Sequence, residues 1–321
     1  MFQTDPILWL QAAAAPWLTS LMVLVSQIGA GRIYRAVAIA IIFGVQLRAG
    51  LLLLHLLLAS YLLSGVLKAI FALPRPVAVD PRVKDFLGIM VNRASCLGPG
   101  PAHFWSPLGA ELLARCRALP QLSLGFPSSH LTGATSFFGS GALYFRHRGL
   151  LLLGAVMVPL VSLSRMYLGA HFLADAVGGV LIGGIGLGTA VVLKGRERFA
   201  AAALLGFAIV VLLAQPGLSF GAGRLAGAVG STLVLVRRGL PSDGGTLAVR
   251  AARVGLAFAL YFGTAKLLSL IAKAVGMATS PWTDFVFGVL PISLCLLGTV
   301  WLGQRFRLFG QGVAPSLAGL P

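Results

Sequence analysis

Long apolar runs separated by short basic connections constrain this chain more than any other feature. Runs at roughly 33–47, 50–72, 129–145, 149–165, 171–193, 199–214, 222–236, 254–275 and 284–303 approach the length that crosses a hydrocarbon core, about 20 residues. In that solvent a backbone must satisfy its own hydrogen bonds, so helices are the expected element. The expected fold class is therefore all-α, a polytopic transmembrane helix bundle of about eight to nine spans. Residues 7–29 are apolar as well, but Pro16 and the late Gly29 and Gly31 break them, which suits an interfacial helix better than a span. Composition agrees, with 58% of the 321 residues hydrophobic and 10% charged. An ordinary soluble domain carries about a quarter charged residues, so a cytosolic globular enzyme is excluded, as is a disordered chain. The MFQTDP start has an acidic residue and no basic n-region, so a cleaved signal peptide is not expected.

A net charge of +17 would suggest a nucleic-acid partner in a soluble protein. Here the excess is expected to be topological, because membrane proteins keep Lys and Arg in cytoplasmic loops, and no nucleic acid is expected. Three cysteines make no disulfide framework. Cys295 lies in an apolar run, whereas Cys96 and Cys116 share one long connection and could pair if it faces an oxidising compartment. That connection runs from Val77 to about Pro127, and within it Leu108–Leu119 has apolar residues at helical spacing, as a surface helix would. It is expected to act as a lid or a guide for substrate. Glycines at small-xxx-small spacing (Gly179 and Gly183, Gly184 and Gly188, Gly223 and Gly227) predict close helix packing rather than a nucleotide loop.

Charge at a membrane boundary needs a reason, since an ionisable side chain deep in a span costs about 2.5–3.5 kcal/mol. Three segments carry such charge. Lys68 to Arg75-Pro76 closes the second run, Phe126-Pro127-Ser128-Ser129-His130 opens the third, and Ser164-Arg165 to His171 and Asp175 joins the fourth to the fifth. Alternation of spans puts all three on one face of the membrane. His171 and Asp175 are four apart on one helix face, so the carboxylate can orient the imidazole as in hydrolytic triads. His171 then reads as nucleophile. Ser128 is expected to be the N-cap of a helix whose free amides attract anions, with His130 in the first turn as proton donor. Lys68, Arg75 and Arg165 supply cations for a phosphoryl group. His55, alone in mid-span, is expected to be a packing residue, and Lys266 and Lys273 to reach for the interface.

Together these segments resemble the signature of the type 2 phosphatidic acid phosphatase superfamily, KxxxxxxRP, PSGH and SRxxxxxHxxxD. The resemblance covers residues 30–195, with every spacing kept and Ser129 standing where glycine is usual. It implies a six-span phosphatase core over 1–199, with the 77–127 connection beside the active site, and additional spans of unassigned role over 200–321. It further implies attack on phosphorus by His171, which would form a phosphohistidine, orientation by Asp175 and protonation of the leaving alcohol by His130. Lys68, Arg75, Ser128, the Ser129 amide and Arg165 would hold the phosphate oxygens, without metal or other cofactor. A site at the membrane boundary suits an amphiphilic substrate: phosphatidic acid, phosphatidylglycerophosphate, a polyprenyl diphosphate or a sphingoid phosphate. A sugar phosphate, transfer to a lipid or sugar acceptor in place of water, and a non-catalytic phosphate-lipid transporter or scaffold remain open. Twelve cations, in Arg48, the 146–148, 194–198 and 237–253 connections, Arg305 and Arg307, lie on the face opposite the motifs, against Glu197 and Asp243. The positive-inside rule then turns the motif face toward the periplasm or exterior of a bacterial-type inner or plasma membrane. Oligomeric state leaves no trace in the sequence.

Overall fold

The computed structural model describes residues 1–90, 95–98, 100–101, 103–119 and 122–310. Parts of the 77–127 connection and the end of the 200–321 region thus lie outside the described residues. Fourteen α-helices occur among the described residues: α1 (Asp5–Ala12), α2 (Pro16–Ile28), α3 (Gly31–Gly44), α4 (Leu47–Phe71), α5 (Pro76–Val79), α6 (Ala110–Arg117), α7 (Ser129–Phe145), α8 (Arg148–Tyr167), α9 (Leu173–Val192), α10 (Glu197–Ala214), α11 (Ser219–Arg238), α12 (Leu247–Ala274), α13 (Pro281–Ser293) and α14 (Thr299–Arg305). No strand forms among them, so the chain is a polytopic all-helical membrane protein, as its apolar runs require. Seven spans meet the length and apolarity of a membrane crossing, and the α2–α3 pair, bent by 48°, makes a possible eighth. At 17 residues, α7 is one residue shorter than that length.

Sequence punctuation explains the differences from expectation. The apolar run from 7 is cut into α1 and α2 at Pro16, which takes the N1 position of α2. Gly29 then sits against Val161 of α8, so α2 is packed on another helix. In the last span Pro291 removes a helical donor, and the following turn widens to a π segment, Leu294–Gly298, before α14 resumes. Arg250 and Arg253, expected in a connection, lie in the first turns of α12. Lipid-facing surfaces read as exposed apolar residues, among them Leu152, Val156, Leu181 and Leu213.

The chain forms two compact units: residues 1–34, 63–139 and 147–185 in one, and 35–62, 140–146 and 186–321 in the other. The first unit holds all three motif segments. In it, Gly179 and Gly183 let α9 approach α7 closely. A Cβ at Gly179 would stand 2.5 Å from the Ser128 carbonyl oxygen, and one at Gly183 2.6 Å from Thr135 Cβ. The companion pair departs from expectation, since Gly184 and Gly188 meet nothing within 4 Å. In the second unit, Gly223 and Gly227 bring α11 against Phe285, Val289 and Ile292 of α13, the contact their spacing predicts. There too His55 Nε2 lies 3.2 Å from Thr232 Oγ1, whose hydroxyl donates to the Ala228 carbonyl at 2.9 Å. Lys266 and Lys273 are exposed on α12.

Arg253 is 2% exposed in the second unit, yet its charge is fully used. Nε donates to the Leu308 carbonyl at 2.8 Å, Nη1 to that of Asp243 at 3.0 Å, and Nη2 to that of Gly244. The Phe309 ring stacks 4.4 Å from the guanidinium carbon. This arginine ties the start of α12 to the chain following α14.

Candidate active site

Local folding brings the motif segments together before any ligand is considered. Beyond α4, Pro74 bridges to Leu124, and the Gly125 amide donates to the Leu73 carbonyl at 2.8 Å. This pairing sets the Arg75-Pro76 segment beside the residues leading into α7. Lys68, in the last turn of α4, donates to the carbonyls of Leu124 and Gly125 at 3.2 and 2.5 Å. On the other side, α8 ends in a Schellman turn. The Ala170 amide bonds back to the Arg165 carbonyl at 3.0 Å and that of Gly169 to the Met166 carbonyl at 2.9 Å. Gly169 takes φ +74°, the left-handed geometry this turn demands. Arg165 thereby closes α8 while His171 leads into α9.

His171 is 2% exposed and Asp175 wholly buried. Asp175 Oδ2 accepts from His171 Nδ1 at 3.0 Å and from the Phe172 amide at 3.0 Å. On the far side of the ring, Arg75 Nη1 donates to His171 Nε2 at 3.2 Å. A nitrogen that accepts from a guanidinium carries a lone pair, so the ring is neutral with its proton on Nδ1. Arg75 is held in turn by Nε to Ser123 Oγ at 2.8 Å and by Nη1 to the Ala170 carbonyl at 2.7 Å. Both ring nitrogens are thus engaged, and the imidazole axis is fixed from both ends.

Ser128 precedes α7, and its carbonyl takes the first helical bond, from Thr132 at 3.0 Å. Its amide donates to the Asp175 carbonyl at 2.9 Å, joining the start of α7 to α9. The expected cap bond is not made, however. Ser128 Oγ is buried without a partner among the described residues, as are Arg165 Nε and Asp175 Oδ1. All three belong to the motif segments, although buried hydroxyls elsewhere, among them those of Ser231 and Thr299, are unpartnered as well. Arg165 Nη1 donates to Ser26 Oγ at 2.8 Å. Half-buried His130 stands in the first turn of α7, within the field of Arg165, Arg75, Lys68 and Arg32.

Three neighbours of the site went unread in the sequence. Ser26, in the supposed interfacial segment, holds Arg165, and no spacing rule links residues 139 apart. Ser64 bonds Ser129 Oγ at 3.0 Å, so the side chain that replaces the usual glycine has a partner on α4. Ser64 lies four residues before Lys68, on the same helix face, a signal that could have drawn notice. Arg32 adds a fourth cation.

Described residues of the long connection are anchored at several points in the first unit. Leu108–Leu119 folds as α6, slightly shorter than its apolar spacing predicts, and Cys116 on it is disulfide-bonded to Cys96. The Cys96 and Gly98 amides bond to Ala78 and Val79, in the helix that directly follows Arg75. Arg117 Nη2 caps the Phe71 carbonyl at the end of α4 at 2.8 Å. Asp80 accepts from Thr4 Oγ1 at 2.6 Å and pairs with Arg82 at 2.8 Å. The Arg82 hydrogen bonds, helped by Thr4, pull its carboxyl down to about 2. Among the described residues no three His, Cys, Asp or Glu side chains gather as a metal-ligand set.

The family model of the PAP2 superfamily matches residues 49–199, a stretch that contains all three motif segments. Through it the chain is a member of the type 2 phosphatidic acid phosphatase superfamily. No curated protein and no solved structure matches the chain. Membership implies phosphatase-type phosphoryl transfer, here in a helical membrane protein.

Proposed function

We propose that the chain hydrolyses a lipid phosphate, a phosphomonoester or diphosphate, through a phosphohistidine on His171. The observation that carries this is the His171 ring held between Asp175 at Nδ1 and Arg75 at Nε2. Nε2 attacks phosphorus and the P–O ester bond breaks. His130, protonated once the bound phosphate offsets the cations around it, gives its proton to the departing alkoxide. Water then attacks the phosphohistidine, the N–P bond breaks, and His130 takes a proton from that water. Asp175 stabilises the charge that the His171 ring gains in the first step. Arg75, Arg165 and Lys68, with Ser128 Oγ and the Ser129 amide, bind the three equatorial oxygens, whose charge grows as the bond is made. No metal enters this scheme. The site's carboxylate is bonded to His171, and three nearby cations repel a divalent ion while attracting phosphate.

The substrate is proposed to be amphiphilic because the site lies at helix ends beside the amphipathic α6. The 1–199 region is proposed as the phosphatase core and 200–321 as additional spans. An outward-facing site is supported by the cation asymmetry and by the Cys96–Cys116 bond in the connection on the motif face, since disulfides persist in oxidising compartments. The test is phosphate release from a phospholipid and prenyl-diphosphate panel in detergent, with His171→Ala as control. Release without added acceptor, blocked by vanadate and insensitive to EDTA, is the expected result. Turnover that survives His171→Ala would overturn the assignment, and phosphate passed only to an added alcohol would make the chain a transferase.

A further inference from the structure

A second basic site lies in the second unit, and no motif residue lines it. Arg35 of α3 and Arg224 of α11 line one cavity of about 200 Å³, together with Leu58, Tyr61, Leu62 and Phe220. None of the residues that line it is acidic, and neither arginine pairs with a carboxylate among the described residues. Two guanidiniums sharing one cavity repel each other unless an anion lies between them. Arg35 stands four residues inside the start of α3 and Arg224 five residues inside the start of α11. At 1.5 Å per residue each is about 6–8 Å along its helix from that start. Because both arginines line one cavity, the two charges lie at one depth in the helix bundle of this unit.

Arg224 is also positioned. Its guanidinium carbon lies 3.9 Å from the centre of the Phe220 ring, and Tyr261 stands beside it. Phe220 is 39% exposed, so the cavity reaches the protein surface. Leu58 and Leu62, one turn apart on α4, give that mouth an apolar wall. The contrast with Arg253 is informative, because there backbone carbonyls absorb the charge.

We propose that Arg35 and Arg224 form a second phosphate-headgroup site, which binds an anionic phospholipid with its chains against Leu58 and Leu62. Guanidinium pairs suit phosphate oxygens by geometry as well as charge, and basic pockets between membrane helices take such headgroups. The site requires no turnover at His171, so it stands or falls separately from the hydrolase assignment.

Native mass spectrometry of the full chain tests it, with phosphatidylglycerol, phosphatidylcholine or inorganic phosphate added in neutral detergent. The wild type should retain one phosphatidylglycerol more tightly than any phosphatidylcholine. The Arg35→Gln/Arg224→Gln double variant should hold it at least roughly tenfold more weakly. Helical circular dichroism and elution volume report whether that variant is folded. If it is not, Arg35→Lys/Arg224→Lys replaces it, with weakened but measurable retention expected. Equal retention by a folded variant would overturn the proposal, as would equal retention of phosphatidylcholine. Binding of inorganic phosphate alone, with none of phosphatidylglycerol, would make the ligand a free anion and overturn the lipid assignment.

Discussion

Arg165 and Arg253 are both almost wholly buried, at 6% and 2% exposure, yet their surroundings are opposite. Arg253 spends Nε and both Nη nitrogens on three backbone carbonyls and lays its face on a phenyl ring. Arg165 has one protein partner for Nη1, the Ser26 hydroxyl, and its Nε has none among the described residues. The histidines differ in another way: His55 meets the neutral Thr232, whereas His171 is held at both ring nitrogens by charged side chains. Burial alone therefore does not distinguish a working charge from a structural one. Donors left over after the fold is satisfied do, because a buried polar atom without a partner costs about 1–3 kcal/mol and needs another reason to exist.

The comparison can be broken by substitution, and the largest effect is expected at His171. His171→Ala should lower phosphate release by on the order of 10⁶, as loss of a nucleophile does, with the thermal midpoint little changed. Asp175→Asn should cost about 10⁴, since the amide no longer fixes the Nδ1-protonated ring. Both are read as single-turnover rates on the same lipid panel. Arg165→Gln should lose about 10²–10³ in rate while unfolding near the wild-type temperature. Arg253→Met should do the reverse, losing on the order of 3 kcal/mol of stability while the folded fraction turns over normally. If Arg253→Met proved silent in unfolding, or Arg165→Gln silent in rate, the distinction between spent and spare donors would fail.

The smallest effect concerns Asp80. Its carboxyl is held down from the ordinary 3.8 to about 2, first by Arg82 and then by Thr4. A depressed folded value means that the contribution is complete above about pH 4 and fades as pH falls toward about 2. The midpoint of wild-type unfolding should therefore drop across that window by more than that of Asp80→Asn, a difference scanning fluorimetry would resolve.

Most of the architecture was legible because a hydrocarbon solvent leaves few options. Long apolar runs must be helices, and alternation then places Lys68, His130, Arg165 and His171 on one face. Spacing within a motif was readable too, as the His171–Asp175 contact on one helix turn shows. Contacts that join distant segments were not. Ser26 reaches Arg165 across 139 positions through a helix the sequence left on the membrane surface, and nothing local to either residue records it. Ser128 satisfied the composition of a cap but not its bond, because its amide and carbonyl are already placed by α9 and Thr132 while its hydroxyl stays unpaired. The Cys96–Cys116 bond was open for a related reason, since loop cysteines pair only when the fold brings them together.

The glycines of α9 have an evolutionary consequence. Along one edge of that helix, Gly179 and Gly183 touch the first turns of α7, so even a methyl group there would push α9 off α7 and strain the bond from the Ser128 amide to the Asp175 carbonyl. About 140° around the same helix, Gly184 and Gly188 face open space and can take substitutions freely. A random mutant library should therefore show a brittle seam and a permissive one on a single span. New lipid-facing chemistry can be acquired along the permissive edge while the brittle edge keeps the enzyme an enzyme.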